Sequence, residues 1–176
     1  MKNVKVIFDF DSTILKSETI EILADFALEN NKNKNIILNQ IKELTVKAME
    51  GKIDFPTALE KRISLLNITK QNIKDTIQTL QNHLSNSFHE NIKKFDVKNC
   101  FVISGGFKEI ISPIMIPYGF KEQNIYANSF LFDENKNAMI NKDNNLFKER
   151  GKCLVAKKIQ GFKIIIGDGF TDYELK

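Results

Sequence analysis

One apolar, β-branched run, Val4 to Phe10, is followed by four helical stretches before any second strand begins, and this order restricts the fold more than any other feature. The run reads as a buried strand that ends in the polar turn Asp9-Phe10-Asp11-Ser12-Thr13. From Ser17 to about Leu84 the apolar residues recur with a helical period: Ile20, Leu23, Ala24, Ala27 and Leu28; Ile37, Ile41, Leu44 and Ala48; Phe55, Leu59, Ile63 and Leu66; Ile73, Ile77, Leu80 and Leu84. An Asn- and Lys-rich stretch over 29–35 separates the first two helices, and Asp54 with Pro56 starts the third. Strand character returns at Cys100 to Ser104, before Gly105-Gly106 and a helix from Phe107 that Pro113 should bend and Pro117 should end. Further strands are expected over 125–128, a hairpin over 130–133 and 138–140, a helix near 152–159, and a last strand leading into Gly167-Asp168-Gly169. Strands alternating with helices predict an α/β fold with a parallel sheet. The helical block is too large for a plain crossover, so residues 17–85 read as a cap inserted into a core formed by residues 1–16 and 86–176.

Composition narrows the function. A chain of 176 residues with 42% hydrophobic and 27% charged residues is neither disordered nor fibrous. Two cysteines write no disulfide framework and no Cys/His zinc site, which suits a reducing compartment. The net charge of +4 is spread over 26 basic and 22 acidic residues with no basic block, so no nucleic-acid partner is expected. The run Val6-Ile7-Phe8 is cut off by Asp9, and Ile164-Ile165-Ile166 is far too short to span a bilayer; neither a signal peptide nor a membrane segment is read, and the expected location is cytoplasmic.

Ligands of open parallel sheets bind beyond the carboxyl ends of the strands, and three such ends carry polar residues. Asp9 and Asp11, two apart, point to one side of an extended chain, where their mutual repulsion calls for a cation. An all-oxygen site with few protein ligands suits Mg²⁺ and a substrate phosphate. Ser104 before two glycines offers a hydroxyl and open backbone N–H groups to an anion. Asp168 and Asp172, around Gly169, bring more acid for the same cation. On the third helix Phe55, Leu59, Arg62 and Leu66 share a stripe, which places a guanidinium among apolar neighbours.

These segments resemble the motifs of the haloacid dehalogenase superfamily. Asp9 to Thr13 is similar to the first motif, Ser104 to the second, and Gly167-Asp168-Gly169-Phe170-Thr171-Asp172 to the fourth. Ala48-Met49-Glu50-Gly51-Lys52, Phe55, Arg62 and Ser64-Leu65-Leu66 further resemble the cap signature of the phosphoserine phosphatase family. The resemblance implies a Rossmann-like core with a helical cap, and Mg²⁺-dependent hydrolysis of a small phosphomonoester, O-phospho-L-serine above all, in serine biosynthesis. It makes Asp9 the nucleophile and Asp11 the acid and base, with Asp9, Asp168 and the Asp11 carbonyl on the metal. Ser104, Gly105, Gly106 and Lys152 would hold the phosphate, supported by Thr171 and Asp172. Lys148 and Arg150 are alternatives to Lys152 as the third-motif base. Arg62 would take the substrate carboxylate, Glu18 its ammonium group, and Phe55 and Met49 would wall the pocket; His83 and His89 match no role.

Alternative readings are a relative acting on another small phosphate ester, and a signalling receiver domain, against which Asp11 and the long cap argue. The family continues past the fourth motif with a helix and another strand, whereas this sequence stops at Lys176. That predicts an exposed edge at the strand leading to Asp168, a monomer or a homodimer, and, as a third reading, a shortened relative that acts only by binding.

Overall fold

The computed structural model describes residues 4–175, the side chain of Phe170 excepted. Its main sheet is parallel, with strand order β3-β2-β1-β6, where β1 is Val4–Phe8, β2 Cys100–Phe107, β3 Ile125–Asn128 and β6 Phe162–Ile166. Apolar residues fill β1 at almost every position because it is the central strand, paired in register on both sides: Phe8 faces Val102 on β2 and Ile166 on β6. A small antiparallel pair, β4 (Phe130–Phe132) and β5 (Ala138–Ile140), forms the expected hairpin.

Four helices follow β1 as expected: α1 (Thr19–Ala27), α2 (Lys34–Met49), α3 (Phe55–Ser64) and α4 (Lys70–Leu80). Asp54 caps α3 by accepting from the Thr57 N–H at 2.8 Å, and Thr69 with Asn72 forms a reciprocal capping box on α4. The chain leaves and re-enters the core at one place. Leu15 and Leu84 form an antiparallel bridge, the Lys16 N–H donates to the His83 carbonyl at 2.9 Å, and the Ser85 N–H donates to the Ile14 carbonyl at 2.8 Å.

Phe8 and Val102 on one sheet face join Phe88 of α5 (Asn86–Asn91) and Ile110, Ile111 and Ile114 of α6 (Lys108–Met115) in one apolar core. That core runs without a break into Leu23, Ile41, Leu59 and Leu80 of the helical segment. On the opposite face Ile7 and Ile103 pack on Val155 and Ala156 of α7 (Gly151–Ala156). A last short helix, α8, covers Phe170–Tyr173. No helix of the described residues is long and apolar enough to cross a membrane.

Some boundaries shift. The strand expected to end at Ser104 runs on through Gly105-Gly106 to Phe107, with the Asn128 side chain donating to the Gly105 carbonyl at 2.9 Å, and the helix after it begins at Lys108. Pro113 lies inside α6, where Ile110, Ile111, Ile114 and Met115 are buried on both sides of the missing N–H, and α6 ends at Met115, with Pro117 in the 3-10 turn that follows, where the helix was expected to stop. α7 is shorter than 152–159, with Ile159 buried in the turn beyond it. Among the described residues β6 is an edge strand, with Phe162 and Ile164 exposed and Ile165 and Ile166 half-buried.

Candidate active site

Because β1 and β6 lie side by side and the Asp9 N–H donates to the Ile166 carbonyl at 2.8 Å, Asp9 is brought next to Gly167 and Asp168. Oxygens of Asp9, Asp168 and Asp172 lie within 4.8 Å of one another. Gly167 makes this possible: a Cβ there would stand 2.4 Å from Cγ of Asp172, so only glycine lets α8 fold its carboxylate back into the cluster. Thr13 donates to Asp168 Oδ1 at 3.3 Å, and the Gly169 N–H donates to Asp172 Oδ2 at 3.2 Å.

Of the three candidate bases, Lys152 is the one seated among these acids. Its Nζ lies 3.0 Å from Asp9 Oδ2 and 2.7 Å from Asp172 Oδ1. Burial lowers the Lys152 pKa, but Asp9 and Asp172 outweigh it and hold the ammonium above its ordinary value. Arg150 sits before α7 in the left-handed region and pairs with Glu174 at 3.7 Å, while Lys148 lies at the exposed rim of the cavity. Three carboxylates against one lysine leave an excess of negative charge, and burial pushes the Asp9 pKa up although Lys152 pulls it back. Hard, acidic, all-oxygen donors of this kind fit a divalent cation such as Mg²⁺.

Asp11 adds no carboxylate oxygen to this cluster. Its Oδ1 accepts from the Thr19 N–H at 2.7 Å and from the Thr19 hydroxyl, and desolvation, with Glu18 nearby, pushes its pKa up to about 6. Its Oδ2 faces Gly106, where a Cβ would stand 3.2 Å away. Ser104 is fully buried beneath Gly106 and accepts the Gly106 N–H at 2.9 Å, so that N–H is already committed.

A cavity of about 220 Å³ opens above these groups, lined by Asp9, Asp11, Lys152, Asp168 and Thr171 from the core and by Glu18, Phe55 and Arg62 from the helical segment. The Phe55 ring rests on Gly105: a Cβ at Gly105 would stand 2.9 Å from its Cζ. Glu18 accepts from Ser12 Oγ at 2.6 Å. Arg62 is only 7% exposed, and burial lowers its pKa against the opposing charges of Glu18 and Asp11. Its Nε donates to the Ala58 carbonyl at 3.3 Å and Nη1 to Thr45 Oγ1 at 3.2 Å, and no carboxylate of the described residues forms an ion pair with it. Met49 is not brought here: it ends α2 and is 84% exposed, so it forms no wall of this cavity. Neither Thr19 nor Thr45 was singled out in the sequence; the available signal is a hydroxyl on the inward side of an apolar helical stripe, with Thr45 following Ile41 by one turn.

A parallel sheet with acidic residues at adjoining strand ends, under a helical segment inserted after the first strand, defines a haloacid dehalogenase fold. No family model matches the chain. It is 32% identical to phosphoserine phosphatase of Campylobacter jejuni subsp. doylei, over 94% of this chain and 79% of the relative. The crystal structure of a phosphoserine phosphohydrolase-like protein from Francisella tularensis superposes with a TM-score of 0.85 at 30% identity, covering 99% of this chain and 82% of that one. A chloroplastic phosphoserine phosphatase of Arabidopsis thaliana is 31% identical over 97% of the chain, which spans 58% of that relative's length. The chain belongs to the phosphoserine phosphatase family.

Proposed function

We propose that the chain hydrolyses small phosphomonoesters, O-phospho-L-serine foremost, through an aspartyl-phosphate on Asp9. The observation that carries the substrate reading is Arg62. A guanidinium withdrawn from water is costly without an anion, and this one faces the cavity of Asp9 with no carboxylate paired to it among the described residues. A substrate carboxylate supplies that anion, and Glu18, across the same cavity, suits the ammonium group.

An Asp9 oxygen attacks phosphorus as the ester P–O bond breaks, and Asp11 gives its proton to the departing seryl oxygen. Water then attacks the phosphorus of the aspartyl-phosphate, Asp11 takes that water's proton, phosphate leaves and the Asp9 carboxylate is restored. A pKa near 6 suits Asp11 to both directions of transfer. Lys152 attracts the transferring oxygens, Asp172 keeps Lys152 in place, and Ser104, buried beneath Gly106, holds the Gly106 backbone at the cavity floor. Asp9, Asp168 and Asp172, with the Asp11 carbonyl, would hold Mg²⁺. When bound, the cation neutralises charge between the carboxylate nucleophile and the phosphate.

Residues 17–85 serve as the substrate-selecting cap over a core of residues 1–16 and 86–176. The free thiols Cys100 and Cys153 suit a reducing compartment, and the cytoplasm is the proposed location, with the chain acting as a monomer or homodimer. Phosphate release from O-phosphoserine with Mg²⁺, compared with O-phosphoethanolamine, tests the reading. The expected result is a preference for phosphoserine that Arg62→Ala abolishes; a preference unchanged in Arg62→Ala refutes it.

A further inference from the structure

Arg62 is steered from a second helix. We propose that Thr45 of α2 is a positioning residue that sets the guanidinium of Arg62 on α3 for bidentate capture of the substrate carboxylate, an inference that rests on the reading of Arg62 given above. The Thr45 hydroxyl donates its one proton to the Ile41 carbonyl at 3.0 Å, which leaves its oxygen only as an acceptor. Arg62 Nη1 donates to that oxygen at 3.2 Å, and Nε donates to the Ala58 carbonyl at 3.3 Å. Two anchored nitrogens fix both the position and the plane of a rigid guanidinium. The remaining N–H groups, on Nη1 and Nη2, have no partner among the described residues and belong to a side chain that lines the cavity. A carboxylate is recognised through two parallel N–H groups, so the plane of the fork decides whether one bond forms or two. Thr45 does not line the cavity, so it acts through Arg62 and not on the substrate.

Steady-state kinetics on the whole chain, with O-phosphoserine and with O-phosphoethanolamine, which keeps phosphate and ammonium but lacks the carboxylate, test this. Thr45→Val removes the acceptor at nearly constant shape. It is expected to raise KM for phosphoserine roughly tenfold, with kcat within about twofold, in keeping with one charge-assisted hydrogen bond lost. Phosphoethanolamine kinetics should not change, and Thr45→Ser should behave as the unaltered chain. Equal losses on both substrates would make Thr45 a mere tie between α2 and α3, and overturn the proposal. So would a Thr45→Val chain without loss on phosphoserine where Arg62→Ala shows one. An Arg62→Ala chain that retains the preference for phosphoserine instead overturns the reading of Arg62, and a chain that hydrolyses neither substrate removes both.

Discussion

Adding one methyl group at Gly105 should damage the site while leaving the fold almost untouched. The Cβ of Gly105→Ala would stand 2.9 Å from Cζ and 3.3 Å from Cε2 of Phe55. Carbon atoms settle about 3.5 to 4.0 Å apart, so the ring end must retreat by roughly 0.6 Å or more. Gly105 lies in β2 without a positive φ, so alanine fits its backbone, and loss of unfolded-state freedom favours the variant by about 0.4 to 1 kcal/mol. Overpacking against a movable ring opposes this at the low end of about 1 to 3 kcal/mol. The net is near zero, and at about 2 to 4 °C per kcal/mol for a chain of this size, Tm should move by no more than about 4 °C. Catalysis is less forgiving, since a displacement of about 1 Å can cost roughly a hundredfold. We expect kcat/KM for phosphoserine to fall about ten- to a hundredfold. Phe55→Leu lacks the clashing Cζ, so in that background Gly105→Ala should cost less than about threefold, a coupling that a double-mutant cycle measures. An equal loss in both backgrounds would refute the clash as the cause, and unchanged kinetics in the single variant would refute Phe55 as a wall of the site.

Asp9→Asn should keep the fold by circular dichroism and abolish phosphate release; release at the original rate would remove Asp9 as nucleophile. Added Mg²⁺ should raise Tm, and Asp168→Asn should shrink that rise, because binding to the folded state alone stabilises it; an undiminished rise would place the cation elsewhere. Burial raises the pKa of Glu109, whose Oε2 is buried without a partner while Oε1 accepts from the Phe130 N–H at 3.0 Å. Folding therefore takes up a proton at this group, and its contribution to stability, full below the ordinary value of 4.5, is lost as pH rises through the higher folded value. Glu109→Gln should accordingly raise Tm at pH 8 more than at pH 4, and a shift equal at both would refute the assignment.

The strand ends were legible because each interrupts an apolar run: Asp9 after Val6-Ile7-Phe8, Ser104 after Phe101-Val102-Ile103, Asp168 after Ile164-Ile165-Ile166. The four helices were legible from their period alone. Relations made through space were not. Asp172 was readable beside Asp168 as acid for the same cation, although the room that Gly167 leaves for it was not, and Thr45 meets Arg62 only because two helices cross, so that pair has no signature along the chain. The strand reading stops at Ser104, before the two glycines, yet β2 runs on to Phe107 across a register irregularity against β3, with the Asn128 side chain holding the Gly105 carbonyl. The end of α6 near Pro117 was legible from the proline itself, and the buried isoleucines around Pro113 keep the helix going past it. For Met49 the spacing was matched but not the side of the helix end on which it emerges.

The pairing of β1 also sets an order of events at the ribosome. β1 is made before both of its neighbours, β2 and β6, and β6 follows it by roughly 160 residues. At a synthesis rate of about 5 to 20 residues per second, one edge of the nascent β1 waits on the order of 8 to 30 s for a partner. During that time Asp9 has neither Asp168 nor Lys152 beside it, and an apolar strand edge is open to any other extended chain nearby. The face of β1 that carries Phe8 meets the rings of Phe88, Phe95 and Phe120, and the opposite face, with Ile7, meets Val155 and Ala156, all of them made after residues 17–85, so both faces as well as the β6 edge are surface that a nascent-chain chaperone would have to shield while those helices emerge.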